Sequence, residues 1–228
     1  LACPLRWFLT TVGADGPSNA AASLGTLIHA VAEEHPHGTP EELTEALEAR
    51  IEELGYNLDT WAGRVADRHA RDIVNNLASY VVGVPGDVTV EQTVSAEVEG
   101  VTIRGRMDRL EQVDEGVRVT DLKTGKGGYT KANVRENPQL AAYQMALLAS
   151  GEKVAGARIA LLGGSKPQIF DQPALQGEEL ERWREWVREV ALSARGPYFE
   201  ARPSAEACRY CSFDRLCPAR ERGRKVVE

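Results

Sequence analysis

VRVTDLKTGK, residues 117–126, places an acid and a lysine two apart at the end of an alternating run. Val117, Val119, Asp121 and Lys123 share one parity, so on a strand all four side chains project from one face. The preceding segment VTIRGRMDRLEQV (101–113) alternates in the same way, and DEG (114–116) reads as the turn joining the two. Folding that hairpin puts Asp108 opposite Asp121, or within one position of it. Facing carboxylates repel across a ladder unless a cation sits between them. Lys123 supplies part of that charge. A divalent metal such as Mg²⁺ or Mn²⁺ supplies more, with the backbone carbonyl of Leu122 as a further ligand. The chemistry to which such a site points is phosphodiester hydrolysis: the metal binds a phosphate oxygen and lowers the pKa of a water, while Lys123 orients that water or stabilises the growing charge. Taken alone, D-x-K is a common pattern that ordinary surface ion pairs also produce.

Working outward, VTVEQTVSAEV (88–98) is a further alternating strand, joined to the next by EG (99–100). NPQLAAYQMALLAS (137–150) reads as a helix started by a proline in its first turn and closed by Gly151. ARIALLGG (157–164) is apolar enough for a strand covered on both faces, and PQIFDQ (167–172) is expected beside it. GEELERWREWVREVALSA (177–194) is an amphipathic helix with Leu180, Trp183, Val187 and Val190 inward. Upstream, the loop GADGPSN (13–19) precedes a helix running through GTLIHAVAEE, which HPHGTP (35–40) breaks. Two more helices follow at about 41–54 and about 60–82, the second with Trp61, Val65, Ile73, Leu77 and Tyr80 as apolar positions. Helices, three strands, helix, strand, helix make an α/β sandwich around a mixed sheet.

The 228 residues suit one domain: a helical part at about 1–83, the catalytic sheet and its helices at about 84–195, and a cysteine-rich tail at 196–228. The net charge of −7 argues against a nucleic-acid binder coated in lysine but leaves room for a local basic groove. Residues 41–53 hold six Glu against one Arg, whereas residues 104–135 hold eight Lys/Arg against five Asp/Glu. Neither a membrane span nor a secretory signal is visible, so a cytoplasmic protein without membrane partners is expected. GKGG (125–128) and GGSK (163–166) both fail the P-loop pattern, which excludes an ATP site of that kind.

GTLIHAV, GRMDRLE, VTDLKTG and QLAAY, in that order, resemble the RecB-type branch of the PD-(D/E)XK nucleases. The resemblance implies a restriction-endonuclease-like mixed sheet flanked by helices. It implies that His29, Asp108 and Asp121 hold the metal, that Lys123 is catalytic, and that Gln139 and Tyr143 stand beside the active site. DNA is then the expected partner, as single strands or duplex ends, gripped by Arg106, Arg109, Lys126, Lys131 and Arg135, with Tyr129 available to stack on a base.

Cys208, Cys211 and Cys217 form C-x2-C-x5-C, and Cys3 stands at the other end of the chain. Such a trio reads as metal ligation rather than disulfides; zinc, an iron–sulfur cluster and free or paired thiols all remain open on spacing. The layout CPLRWFL, nuclease motifs, CRYCSFDRLCP resembles the iron–sulfur nuclease domains of AddB- and AdnB-type helicase–nucleases. That resemblance implies a [4Fe–4S] cluster on Cys3, Cys208, Cys211 and Cys217 joining the two termini, a helicase motor upstream in the same chain, consistent with Leu1 in place of a start methionine, and a partner subunit. Processing of double-strand DNA ends is the activity expected. The alternatives are a stand-alone nuclease of the CRISPR-adaptation type, which shares the layout, and a nuclease-inactive scaffold that only binds DNA.

Overall fold

A computed structural model describes residues 3–14, 24–51, 55–84, 86–209 and 211–224. Most of the loop expected at 13–19, the start of the helix after it and the end of the helix expected at about 41–54 lie outside these residues. The chain divides into two compact units, Ala20–Glu181 and a second made of Leu1–Asn19 with Arg182–Glu228.

In the second unit, helix α1 (Pro4–Thr11) begins directly after Cys3, with proline in its first turn where no amide partner is needed. The Leu5 amide donates to the Glu200 carbonyl at 3.2 Å, Arg6 Nη1 donates to the Ala207 carbonyl at 3.0 Å, and Phe8 stacks on Phe199 with centroids 4.4 Å apart. The two chain ends are thus bound to each other by ordinary contacts.

The first unit opens with α2 (Leu24–Glu34), α3 (Pro40–Arg50) and α4 (Trp61–Val82). The break at HPHGTP is itself a start signal: the Thr39 side chain accepts from the Glu42 amide while Glu42 reaches back to the Thr39 amide. On α4 the inward positions are Ile73, Leu77 and Tyr80. Trp61 and Val65, expected inside, are 75% and 42% exposed, because the apolar stripe becomes continuous only from Ala70 onward.

Among the described residues the sheet has the order β1 (Val88–Val98), β2 (Val101–Val113), β3 (Gly116–Lys123), β4 (Val154–Leu161), β5 (Gln168–Pro173). All neighbours are antiparallel except β3 and β4, so the sheet is mixed. The β1–β2 turn uses Glu99 and Gly100, both with positive φ, the conformation that matches strand twist in a two-residue hairpin. The parallel β3–β4 connection carries α5 (Lys131–Arg135) and α6 (Pro138–Ala149).

One face of the sheet packs Leu122, Ala160 and Leu162 against α2, α3 and α4; the other packs Met107, Val117, Val119 and Ile159 against Leu140, Tyr143 and Leu147 of α6. Gln172, 1% exposed, donates to the carbonyls of Val134, Arg135 and Asn137 and accepts from Gln144, fixing the N-terminal end of α6 over the sheet. Helix α7 (Gly177–Ala194) buries Trp183 and Val187, with Leu180 and Val190 partly covered. None of the described helices is long and apolar enough to cross a membrane.

Candidate active site

Strand register sets the acidic pair. The β2–β3 ladder pairs Arg109 with Thr120 and Leu110 with Val119, so one further step brings Asp108 beside Asp121. The Leu122 amide donates to Asp108 Oδ2 at 2.7 Å, which ties the Asp108 carboxylate to the neighbouring strand. From α2, His29 Nδ1 lies 3.4 Å from Asp108 Oδ1. Lys123 Nζ lies 2.7 Å from Asp121 Oδ2. On α6, Gln139 Nε2 donates to Asp121 Oδ1 and to the Tyr143 hydroxyl, both at 3.1 Å, and that hydroxyl donates to the Arg106 carbonyl at 2.7 Å. The Gln139/Tyr143 pair, one helical turn apart, thereby connects α6 to both β2 and β3.

The electrostatics are those of a crowded acidic site. Burial raises the Asp121 pKa, opposed by Lys123 and reinforced by Asp108. Burial works to lower the Lys123 pKa, but Asp121 outweighs it and the ammonium ends up stabilised. Asp108 raises the His29 pKa through a hydrogen bond and through its charge, against desolvation. Asp121 is buried with both oxygens engaged, Oδ1 by Gln139 and Oδ2 by the Lys123 ammonium. The His29 imidazole and the Asp108 and Asp121 carboxylates are a donor set that matches what Mg²⁺ or Mn²⁺ accepts.

Glu91, absent from the motif reading, completes the cluster. His29, Glu91 and Asp108 each offer a ligand atom within 4.8 Å of the others. Glu91 lies on β1 between Val90, paired with Arg109, and Gln92, paired with Met107, which aligns it with Asp108. Its φ of 50° is in the left-handed region, unusual for a glutamate in a strand. The sequence signal available was only an acid on the parity that the alternating pattern assigns to solvent.

The expected DNA contacts divide. Lys126 and Lys131 are exposed, and Arg106 and Arg135 expose 61% of their side chains while pairing with Glu91 and Glu179. The Tyr129 ring tilts against Phe170, with centroids 6.5 Å apart. Arg109 is a correction: its side chain is 0% exposed, so it cannot reach a phosphate. Its Nη2 donates to the Pro36 carbonyl at 3.0 Å and its Nε lies 3.5 Å from Glu111, whose carboxylate also accepts from Tyr80 and Arg118. It ties β2 to the loop that follows α2, the helix carrying His29.

In the second unit, Cys3, Cys208, Cys211 and Cys217 line one cavity together with Arg6, Arg202, Asp214 and Arg220. No disulfide joins them.

A match to the family profile over residues 1–218 shows that the chain belongs to the PD-(D/E)XK nuclease superfamily. Nucleases of this superfamily use divalent metals, and the acidic cluster is the candidate site for them. No curated protein matches by sequence. Among solved structures, a candidate exonuclease from Eubacterium rectale is similar at 16% identity, with 91% of this chain and 80% of that one covered and a TM-score of 0.53. SSO0001 is similar at 18% identity, covering 85% of this chain and 95% of that one, with a TM-score of 0.42.

Proposed function

We infer that the chain is a divalent-metal-dependent deoxyribonuclease acting on DNA ends. The observation that carries this is the convergence of Asp108 and Asp121 from adjacent strands with His29 from α2, while Lys123 stands 2.7 Å from Asp121. His29, Asp108, Asp121 and the Leu122 carbonyl would hold Mg²⁺ or Mn²⁺. When bound, the cation supplies Lewis acidity toward a phosphate oxygen and acidifies water. Lys123 holds a positive charge next to the reacting phosphate, where it favours the more negative transition state. Gln139 and Tyr143 keep Asp121 in position. Arg106, Lys126, Lys131 and Arg135 engage backbone phosphates without reading sequence, and the open face of Tyr129 stacks on a base. Exonucleolytic action is favoured by the similarity to the Eubacterium rectale protein.

The four cysteines lining one cavity favour a shared metal centre, for which the family resemblance points to a [4Fe–4S] cluster rather than zinc. On this reading the protein works as the nuclease domain of a helicase–nuclease with a partner subunit. The test is incubation of end-labelled linear and covalently closed DNA with the chain and Mn²⁺. Progressive loss of the linear species alone, abolished by a chelator, is expected. Metal-supported cleavage of closed circles would overturn the end-processing assignment, and no cleavage of either would leave a DNA-binding scaffold.

A further inference from the structure

Glu91 has a geometry that anchoring an arginine does not account for. Three carboxylates lie on adjacent strands: Glu91 on β1 between the Val90–Arg109 and Gln92–Met107 pairs, Asp108 on β2, and Asp121 on β3 one step beyond the Arg109–Thr120 pair. The Glu91 side chain is only 13% exposed, and Oε1 lies 3.9 Å from His29 Nδ1, on the side of Asp108. Oε2 is taken by Arg106 Nε, and Arg106 reaches Glu33 at 3.6 Å as well. Lys123 neutralises Asp121 and Arg106 neutralises Glu91, which leaves Asp108 between them facing a histidine that must be neutral to ligate a metal. Asp121, the third of the three, keeps Lys123 on one oxygen and Gln139 on the other.

We propose that Glu91 is a further protein ligand of the divalent cation, and that Arg106 competes with the cation for the Glu91 carboxylate. This rests on the nuclease reading and deepens it. A carboxylate cannot give its full charge to a guanidinium and to a metal at once. Occupation of the site therefore loosens Arg106, whose side chain is 61% exposed and on the strand next to Asp108, and frees it for a DNA phosphate. Metal loading and DNA binding are coupled through one residue, and each strengthens the other.

The experiment is calorimetric titration of Mn²⁺ into the whole chain without DNA, for wild type, Glu91→Gln and Arg106→Gln, with circular dichroism to verify folding. Glu91→Gln is expected to weaken Mn²⁺ binding by about 10-fold or more, the scale seen when groups around a metal are removed. Arg106→Gln is expected to tighten it by a few-fold, because a competitor has gone. Wild-type affinity in Glu91→Gln would overturn the ligand assignment. Unchanged or weaker binding in Arg106→Gln would overturn the competition, and this arm stands even if Glu91→Gln fails to fold. A wild-type chain that cleaves DNA yet behaves in either of these ways leaves the nuclease reading intact. One that binds no Mn²⁺ overturns both.

Discussion

Gly105 is the position where a single methyl group should disable the site from a distance. A Cβ built there stands 2.5 Å from Tyr143 Cε1 and 3.3 Å from Cδ1. Carbon atoms in contact normally sit about 3.5–4.0 Å apart, so the ring must retreat by about 1 Å. Tyr143 is 9% exposed and packed in the core between α6 and the sheet, with little room to yield. Retreat strains the 2.7 Å bond to the Arg106 carbonyl and the 3.1 Å bond from Gln139, the same amide that holds Asp121. Overpacking of this kind costs about 1–3 kcal/mol, which for a chain of this size lowers Tm by about 2–12 °C. A displacement of about 1 Å in a positioned group costs about 10²-fold in rate. Thermal melts and single-turnover cleavage at saturating DNA should therefore show Gly105→Ala modestly destabilised and about 100-fold slower. In a Tyr143→Ala background the ring is gone, and Gly105→Ala should then be nearly silent. An undiminished rate in Gly105→Ala, or the same loss with and without the ring, would refute the chain of positioning from Gly105 through Tyr143 and Gln139 to Asp121.

Lys123→Ala should slow cleavage by about 10²-fold or more while Mn²⁺ affinity, read by calorimetry, is largely kept. Arg109→Ala should lower stability by about 3 kcal/mol or more in urea melts, because it leaves Glu111 buried with less compensation and frees the Pro36 carbonyl; unchanged stability would contradict its interior role. The His29 pKa is raised above 6.5 in the fold, so its contribution to stability is full below that value and is lost as pH rises through the folded one. Metal-free wild type should therefore lose stability as pH rises above about 6.5, a slope that His29→Gln flattens. If one metal centre holds Cys3 and Cys208, it closes a loop of about two hundred residues, worth on the order of 5 kcal/mol in chain entropy alone. Cys3→Ser should then unfold much of the chain in denaturant titrations. The purified wild type should be brown, with absorbance near about 400 nm, whereas colourless protein with stoichiometric zinc would replace the cluster.

Period-two patterning located β1 and β2 at their observed bounds, and the short turn between β2 and β3 was enough to align Asp108 with Asp121. Alternation also hid what matters most near the site. Met107 packs toward α6, whereas Arg109 and Glu111, of the same parity, face Pro36 and Tyr80 on the opposite side of the sheet. The pattern breaks at Asp108, beside the left-handed Glu91, and a strict two-residue period cannot register such a break. For that reason Arg109 read as a surface arginine, and nothing in the alternation singled out Glu91. Helix α5 is too short for periodicity to declare, and its one signal is the Thr130–Asn133 capping pair. Trp61 and Val65 continue the apolar spacing of α4 beyond the part of the helix that the sheet and α3 cover, since periodicity reports which face is apolar and not how far the cover extends.

The most direct test of the account is the cleavage rate of end-labelled linear DNA as a function of Mn²⁺ concentration, measured side by side for wild type and Asp121→Asn. Asn keeps the shape of the side chain and can still pair with Gln139 and lie beside Lys123, but it removes the charge that two carboxylates from adjacent strands bring to one cation. Metal-dependent cleavage by the wild type, with Asp121→Asn folded and inactive at every Mn²⁺ concentration, is the predicted result. Cleavage by Asp121→Asn at the wild-type rate would contradict the site, and with it the claim that this sheet is built to hydrolyse DNA.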